Sequence, residues 1–188
     1  MDELIDVLDK DGNKTGQIKT KTEIKKDGDY HRAIAVLIID DDKILIQKRS
    51  STKKVYPNLW SLFIKGHVKA NETSLMACIR EIKEEIGISV NINELDYLYT
   101  IKEEKRNSDY IENIFYDTFI LRKNIDLKDI VIYEEEVADV RYISIDDAYQ
   151  EIKDNNCIYA PNDEDYQRIF EYLGKTNGKC YVKTYKIK

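Results

Sequence analysis

The segment from Gly66 to Ile88, GHVKANETSLMACIREIKEEIGI, constrains the fold of this chain more than any other stretch. At about 100° per residue, four large apolar side chains of this segment fall on one arc of a helix. They are Leu75, Ile79, Ile82 and Ile86. Residues 71–74 supply capping-type side chains before this run and Gly87 follows it, so both ends of the helix are marked. The pattern predicts a helix that packs one face on a sheet.

Three carboxylates gather on roughly the opposite arc of this helix. Glu81, Glu84 and Glu85 are spaced i, i+3 and i+4, which makes their side chains neighbours on a helix surface. Like charges at this range repel, and Arg80 offsets only part of the repulsion. A divalent cation would complete the charge balance, and hard oxygen ligands favour Mg²⁺, Mn²⁺ or Ca²⁺. The alternative is a solvated acidic face, which is the usual role of a charge run.

The full spacing argues for the metal. Seven residues and two apolar positions follow the pattern G-x5-E-x7-R-E-U-x-E-E-x-G-U, where U is bulky and apolar. They are Gly66, Glu72, Arg80, Glu81, Glu84, Glu85 and Gly87, with Ile82 and Ile88 as U. The pattern resembles the Nudix box. The resemblance implies an α/β/α sandwich with a mixed sheet, in which residues 66–88 form a loop, a helix and a loop. It also implies a Mg²⁺-dependent hydrolase that cleaves a nucleoside diphosphate, or another diphosphate, linked to a moiety X.

The same resemblance assigns roles to the residues of the box. Glu81, Glu84 and Glu85, with the carbonyl of Gly66, would hold Mg²⁺ or Mn²⁺, and Arg80 would orient the carboxylates. The group that takes the proton of the attacking water stays open between a box glutamate, Glu81, and an acid on a distant loop. The loop candidates are Glu134, Glu135 and Glu136, and also Glu103 and Glu104. The predicted catalytic set is therefore Arg80, Glu81, Glu84 and Glu135.

Basic residues near the box are candidates for binding the phosphates of the substrate. Lys48 and Arg49 end a predicted strand, Lys65 precedes Gly66, and His67 follows it. Each of them alone is more often a solubilising surface residue or a structural hydrogen-bonding residue. As a group around the expected diphosphate site they are predicted to contact the substrate.

The rest of the chain reads as strands with few helices, which predicts a single α+β domain over residues 1–188. Residues 1–30 form an N-terminal hairpin and extension, with a turn at residues 11–13. Strands are predicted at 33–39, 43–49, 59–64, 88–92, 97–101, 113–121 and 137–143, from their apolar, β-branched and aromatic content. Helices are predicted at 145–152 and 163–173, and an edge strand at 179–187.

The flanks of the box are similar to a subgroup of Nudix proteins related to isopentenyl-diphosphate isomerase. The similarity rests on DELIDVLDKDGNKTG, Tyr30-His31-Arg32-Ala33, LIQKRS, Lys53-Lys54, Pro57, Trp60 and Gly66-His67. In the isomerases a cysteine precedes the Gly-His pair, a later strand carries a glutamate, and histidines help to bind a metal. Here these positions hold Lys65, Ile114 and, for the first metal histidine, Ile24, although the acid Glu112 is retained.

Hydrolysis is therefore favoured over isomerisation. Adding a proton to an alkene and removing one from the resulting cation needs positioned acid and base groups, which lysine and isoleucine supply poorly. An isopentenyl-diphosphate isomerase and a non-catalytic nucleotide-binding Nudix module remain the alternatives. If the chain were an isomerase, His31 and His67 would bind metal. If it is a hydrolase, they need no metal role.

Composition limits the partners. The formal net charge of −6 argues against general nucleic-acid binding, which depends on a basic surface. Cys78, Cys157 and Cys180 form no zinc or disulfide pattern, and Cys78 is expected to pack in the core. The expected partner is a small-molecule diphosphate, with no nucleic acid and no membrane, and a homodimer is left open. The acidic N-terminus lacks a signal-peptide pattern, so a cytoplasmic location is expected.

Overall fold

The computed structural model describes residues 2–106, 111–154, 158–161 and 163–175. The strands are β1 (Leu4–Leu8), β2 (Lys14–Thr20), β3 (Tyr30–Asp40), β4 (Lys43–Arg49), β5 (Trp60–Ser61), β6 (Phe63–His67), β7 (Leu95–Arg106), β8 (Ile111–Arg122) and β9 (Val137–Ser144). The helices are α1 (Lys21–Asp27), α2 (Ser74–Ile86), α3 (Ile145–Lys153) and α4 (Asp163–Tyr172). The chain thus has a mixed α+β fold with a mixed sheet, as its sequence predicts.

The chain forms two compact units, each built from separate stretches of sequence. The first comprises the described parts of Met1–Leu37, Ile64–Glu84 and Ile88–Leu121, and the second comprises those of Ile38–Phe63, Glu85–Gly87 and Arg122–Lys188. The prediction of a single domain stays a prediction.

The first unit holds the predicted N-terminal hairpin and most of the box. Strands β1 and β2 pair antiparallel, and β1 meets β3 through Leu8 and Tyr30. Strands β6 and β8 also pair with β3, and β7 pairs antiparallel with β8 over nearly its whole length. The part of β3 in this unit, up to Leu37, is buried almost throughout, because its apolar residues are covered on both faces. Strand β6 delivers the chain to Gly66 and His67.

In the second unit the end of β3 pairs antiparallel with β4 from Ile38 to Asp40. Strand β4 pairs along its length with β9, and its end pairs with the short strand β5. Helix α3 begins at the capping residue Ser144, whose side chain accepts a hydrogen bond from the backbone N–H of Asp147. Helices α3 and α4 match the predictions for 145–152 and 163–173.

Helix α2 is the predicted helix of the box. Thr73 caps its first turn, since its hydroxyl oxygen accepts from the backbone N–H of Met76 at 3.2 Å. The helix ends before Gly87, whose φ of +76° lies in the left-handed region that favours glycine. The buried face is shifted from the predicted arc: Cys78 and Ile82 are fully buried, whereas Leu75 and Ile79 are only half-buried. Cys78 packs in the core, as expected.

Three features of the chain differ from the sequence predictions or lie outside the described residues. The strand predicted at 88–92 is wrong: residues 88–91 form an extended connection, and a 3₁₀ turn, Ile92–Glu94, follows, because Asn91 and Glu94 form a capping box there. Helix α1 was missed, although Thr20 and Glu23 form a capping box at its start. The edge strand predicted at 179–187 lies outside the described residues. No described helix has the length and apolarity needed to cross a bilayer.

Candidate active site

The closest approach at the box lies between the backbone of Gly66 and the side chain of Glu81. A Cβ added at Gly66 would overlap the carboxyl group of Glu81. Only glycine therefore allows strand β6 to pass this close to helix α2. The arrangement puts the Gly66 peptide group beside a carboxylate, which is what a shared cation would require of a backbone carbonyl and an acid.

Arg80 donates five hydrogen bonds, four to acids of the box and one to a backbone carbonyl oxygen. Its Nε and Nη2 donate to the two oxygens of Glu72, at 2.7 and 2.9 Å. Its Nη1 donates to Glu81 at 2.6 Å and to Glu84 at 3.1 Å, and Nη2 also donates to the carbonyl oxygen of His67 at 2.8 Å. The planar guanidinium has donors in a fixed fork, so it fixes these carboxylates more firmly than an ammonium could.

The acids of the box are less solvated than the sequence suggests. Glu81 and Glu85 are 8% and 5% exposed, and only Glu84 reaches well into solvent, with a side chain 49% exposed. Burial raises the pKa of Glu81, and Arg80 only partly opposes this effect. For Glu72 burial also opposes ionisation, but the hydrogen bonds from Arg80 and Lys69 prevail and lower its pKa.

The residues fit a bound divalent cation. Three carboxylates, those of Glu72, Glu81 and Glu84, face the Arg80 guanidinium, and the Lys69 ammonium lies 3.8 Å from Glu84, so the acids outnumber the cations. An excess of negative charge that includes the buried Glu81 is costly. All of the candidate ligands carry hard oxygen atoms, which Mg²⁺ and Mn²⁺ prefer. Within the first unit, Glu81 and Glu84 present carboxylate oxygens and Glu81 lies beside Gly66. The predicted ligand set of Glu81, Glu84, Glu85 and the Gly66 carbonyl stays a prediction.

The start of helix α2 is fixed by a buried carboxylate that the sequence gave no reason to select. Asp117 on β8 is 7% exposed and accepts three short hydrogen bonds. They come from Arg32 at 2.7 Å, Ser74 at 2.6 Å and Thr100 at 2.6 Å. Asp117 thereby ties β3, β7 and β8 to the first residue of the helix. No spacing in the sequence links these four residues, so only the fold reveals them.

The basic residues predicted to bind substrate belong to both compact units. Lys65 lies in the first unit, where its Nζ is 4.4 Å from the centre of the Tyr116 ring. Lys48 and Arg49 lie in the second unit at the end of β4. The guanidinium of Arg49 donates twice to the carbonyl oxygen of Val55, at 3.1 and 2.9 Å. Arg49 is thus committed to its own loop, and its contact with substrate stays a prediction, as does that of Lys48.

The loop that carries Glu135 is attached to the end of helix α2, within the second unit. The backbone N–H of Tyr133 donates to the carbonyl oxygen of Glu85 at 3.1 Å. The Glu135 side chain accepts from the Tyr133 hydroxyl at 2.9 Å and is exposed. Glu136 is paired with Lys53. Glu134 and Glu135 are both exposed, so solvent and small molecules can reach either side chain, and the role of Glu135 as a base stays a prediction.

A second group of candidate ligands lies in the first unit. One ligand atom each from His31, His67 and Glu112 lie within 4.8 Å of one another. The two imidazole rings stack, with centroids 5.3 Å apart and an interplanar angle of 19°. Lys25 forms an ion pair with Glu112 at 3.1 Å. We call these three residues the histidine cluster.

Burial disfavours the charged form of both imidazoles in the histidine cluster. Burial, the largest cause, lowers the pKa of His31 and lowers that of His67 well below its ordinary value. Among the described residues, neither Nε2 has a hydrogen-bond partner, although both atoms are buried. Sequence reasoning did not group these residues, and it gave His67 to the substrate. The signal was the resemblance to the isomerases, which singled out Glu112 and metal-binding histidines.

Comparisons with known proteins agree with this geometry. The NUDIX domain family matches residues 29–161. Nudix hydrolase 3 of Arabidopsis thaliana is 31% identical over 191 residues, which is 97% of this chain and 24% of that protein. This chain therefore spans about a quarter of that relative. The prenyl-diphosphate phosphatase of Methanosarcina mazei is 28% identical over 161 residues, 84% of this chain and 89% of that one.

The relatives also include the isopentenyl-diphosphate Delta-isomerase of Serratia proteamaculans, 32% identical over 96 residues, 50% of this chain and 53% of that one. Among solved structures, a protein of Deinococcus radiodurans superposes with a TM-score of 0.64 at 17% identity, covering 88% of this chain and 98% of that one. That likeness concerns the fold alone. The predicted resemblance, including its isomerase-like part, is confirmed.

Proposed function

Because this chain belongs to the Nudix domain family, we propose that it is a Mg²⁺-dependent hydrolase of a small diphosphate compound. The linkage cleaved is the diphosphate of a nucleoside diphosphate linked to X, or of a related small molecule. Mn²⁺ would also fit the oxygen ligands. The observation that carries the proposal is the arrangement of Gly66, Arg80 and Glu81. The carboxylate of Glu81 accepts a hydrogen bond from Arg80 and lies against the backbone of Gly66, where a Cβ would overlap it.

Each residue of the site has a distinct task in this proposal. Glu81, Glu84 and Glu85 would hold the cation, with the Gly66 carbonyl as a further ligand. When bound, the cation supplies charge neutralisation of the phosphoryl oxygens and a lower pKa for water. Arg80 keeps the carboxylates in one geometry through four hydrogen bonds, so that they need not reorganise during the reaction.

The proton of the attacking water needs an acceptor near neutral pH. A carboxylate whose pKa is raised by burial is a better base than one at its ordinary pKa. Glu81 has such a raised pKa, whereas Glu135 is exposed and bound to a tyrosine hydroxyl. Glu81 is also a proposed ligand of the cation, and a bound cation lowers the pKa of its carboxylate ligand, so Glu81 and Glu135 both stay candidates for the base.

The isomerase alternative is weaker for reasons of geometry and chemistry. Ile114, which replaces the glutamate of the isomerases, is 1% exposed and carries no proton to exchange. The Lys65 ammonium, which replaces the cysteine, lies over the Tyr116 ring. A prenyl diphosphate nevertheless remains a specific candidate as substrate for hydrolysis, because a relative that covers most of the chain is a prenyl-diphosphate phosphatase.

Turnover tests the proposal directly. Purified protein is incubated with Mg²⁺ and with nucleoside diphosphate sugars, dinucleoside polyphosphates, nucleoside triphosphates and prenyl diphosphates, each in turn. The expected result is release of phosphate or a nucleotide from one class, abolished by chelation of the metal. Exchange of deuterium from solvent into isopentenyl diphosphate would instead support the isomerase. Binding of a nucleotide without turnover across the panel would support the non-catalytic module.

A further inference from the structure

One lysine of the box lies between two acids that come from different segments of the chain. The Lys69 ammonium is 3.8 Å from Glu84 on helix α2 and 3.5 Å from Glu3, which precedes strand β1. All three residues belong to the first compact unit. The spacing of the box leaves position 69 unspecified, so neither this lysine nor its partner Glu3 follows from the motif. Because Glu84 is a proposed ligand of the cation, an ammonium group lies beside the expected metal site.

The backbone that carries Lys69 is fixed to the N-terminal strand. Lys69 forms an isolated antiparallel bridge with Ile5, and the N–H of Ala70 donates to the carbonyl oxygen of Leu4 at 2.8 Å. The N–H of Lys69 also donates to the Glu72 carboxylate at 2.9 Å. The box loop and strand β1 are thereby joined. The direction of the lysine side chain is then decided by the acids that it meets.

The ion pairs of Lys69 are loose, which suits an exchange of partners. Both distances are longer than the ~2.7–2.9 Å of a charge-assisted N–H···O hydrogen bond. The side chains of Lys69 and Glu84 are 35% and 49% exposed, and ion pairs between such groups contribute little to stability. The three donors of the ammonium group can therefore turn to a stronger acceptor, such as a phosphate oxygen held by a cation at Glu84.

We propose that Lys69 contacts the diphosphate of the substrate, and that Glu3 is the positioning residue that draws Lys69 away from Glu84 when the cation binds there. This inference rests on the proposed function for its substrate class. A divalent cation on Glu84 repels the ammonium group and compensates the carboxylate, so Glu3 becomes the stronger partner of Lys69. A diphosphate bound to that cation then meets an ammonium group that is already in place.

Glu3 is close enough to the acids of the box to act on their charge. Burial is the largest cause of the raised pKa of Glu81, and the negative charges of Glu84 and Glu3 add to it. Glu3 also pairs with Lys21 at 3.5 Å, so this one carboxylate holds two ammonium groups beside the box. Removal of its charge would leave Lys69 with Glu84 as its acidic partner, where the ammonium group competes with the cation.

The test measures binding of methylenediphosphonate, a diphosphate analogue whose P–C–P link water does not cleave, to the full chain in saturating Mg²⁺ by calorimetry. Lys69→Met should weaken binding by about tenfold or more, because a charge-assisted contact is lost. Lys69→Arg should restore part of the affinity. Glu3→Gln should weaken binding by a smaller factor, and it should add nothing in the Lys69→Met background. Thermal unfolding shows whether each variant is folded.

A second measurement separates a phosphate contact from a role in metal binding. Mn²⁺ affinity is followed by electron paramagnetic resonance without the diphosphonate. Lys69→Met should not weaken it, because loss of a cation beside Glu84 favours the ion, whereas Glu3→Gln should weaken it. Lys14→Met is the matched control, since Lys14 pairs with Asp6 of β1 at 2.7 Å. It should change neither the Mn²⁺ affinity nor the diphosphonate affinity.

The outcomes distinguish this proposal from the proposed hydrolysis. Equal diphosphonate affinity of Lys69→Met and the unaltered protein, or no Mg²⁺-dependent binding by the unaltered protein, would overturn the role of Lys69. A loss that Lys14→Met reproduces would overturn it too. Binding that depends on Lys69 without turnover of any substrate class would keep the contact and reject hydrolysis. Turnover together with unchanged binding by Lys69→Met would keep hydrolysis and reject the contact.

Discussion

The box and the histidine cluster are two groups of potential metal ligands, and they differ in how the charges of their acids are balanced. At the box, ionised carboxylates outnumber the one guanidinium that organises them, and Glu84 opens to solvent. In the histidine cluster His31 is buried, His67 is half-buried with a buried Nε2, and the single acid is paired with Lys25. The first arrangement suits a hard ion that keeps waters and phosphates as ligands, whereas in the second the one carboxylate already has a cationic partner.

His67 belongs to both groups. Its carbonyl oxygen accepts a hydrogen bond from Arg80 at 2.8 Å, and its imidazole stacks on His31. One residue therefore joins the guanidinium that orders the carboxylates to the ring that lines the cluster. The comparison teaches that one residue of a strand can join two groups of polar side chains when its backbone and its side chain face different partners.

The largest effect is expected from removing a carboxylate of the box. Glu85→Gln keeps the size of the side chain but removes the charge, so turnover should fall by at least about 10²-fold, as expected on losing a group that stabilises transition-state charge. The measurement is kcat in saturating Mg²⁺. Glu171→Gln, an exposed acid on α4, is the matched control and should leave kcat unchanged. Equal kcat values for Glu85→Gln and the unaltered protein would show that this carboxylate of the box is not needed for catalysis.

The next effect concerns the glycine beside Glu81. Gly66→Ala forces the new methyl group onto the side chain of Glu81, so this side chain must leave its position, or the strand or the helix must move. We expect about 1–3 kcal/mol lower stability, typical of overpacking, together with a large loss of turnover. The checks are denaturant unfolding and kcat. Gly174→Ala is the control for turnover, because a methyl group there meets nothing within 4 Å; its φ of +78° means that some stability is lost there without loss of activity. Full activity of Gly66→Ala would show that the close approach is dispensable.

A smaller effect is expected at the guanidinium. Arg80→Lys keeps the charge but cannot reproduce five hydrogen bonds in a fixed fork. Turnover should fall by about tenfold or more, and the stability of the fold by about 1–3 kcal/mol, since buried acceptors lose partners. The Mg²⁺ concentration that gives half-maximal turnover should also rise, because the carboxylates that would bind the ion are less ordered. An unchanged Mg²⁺ dependence would mean that Arg80 does not position the metal ligands.

The smallest effect is the pH dependence of stability contributed by His67. Burial puts the pKa of His67 well below 6.5 in the folded state, so below pH 6.5 the unfolded chain binds more protons. Stability should therefore fall as the pH drops below about 6.5, by at most about 1.4 kcal/mol per pH unit for this group. Denaturant unfolding in chelator measures it, and His67→Asn should flatten the slope. A slope that the variant leaves unchanged would contradict a buried neutral His67.

The sequence predicted what depends on local pattern. The hairpin, β3, β4, β8 and the helix from Ser74 to Ile86 follow from apolar runs, alternation and capping residues, and the box spacing located Arg80 and its carboxylates. The strand predicted at 88–92 failed because β-branched content cannot distinguish a strand from an extended connection.

What the sequence could not predict depends on contacts between distant segments. Asp117, 43 residues from Ser74, is selected only by the fold. The burial of Glu81 and Glu85 was also missed, because the spacing of charges on a helix does not show which face the sheet covers. For the same reason the histidine cluster appeared only when β3, β6 and β8 were brought together.

The most direct test of the hydrolase is the fate of solvent oxygen. The diphosphate panel is incubated with Mg²⁺ in ¹⁸O-labelled water, and the products are analysed by mass spectrometry, with Glu85→Gln in parallel. We predict a phosphate-containing product with one ¹⁸O atom from one substrate class, and almost none with Glu85→Gln. Absence of labelled product from every class, or equal labelling by the variant, would contradict metal-assisted attack of water on the diphosphate by this chain.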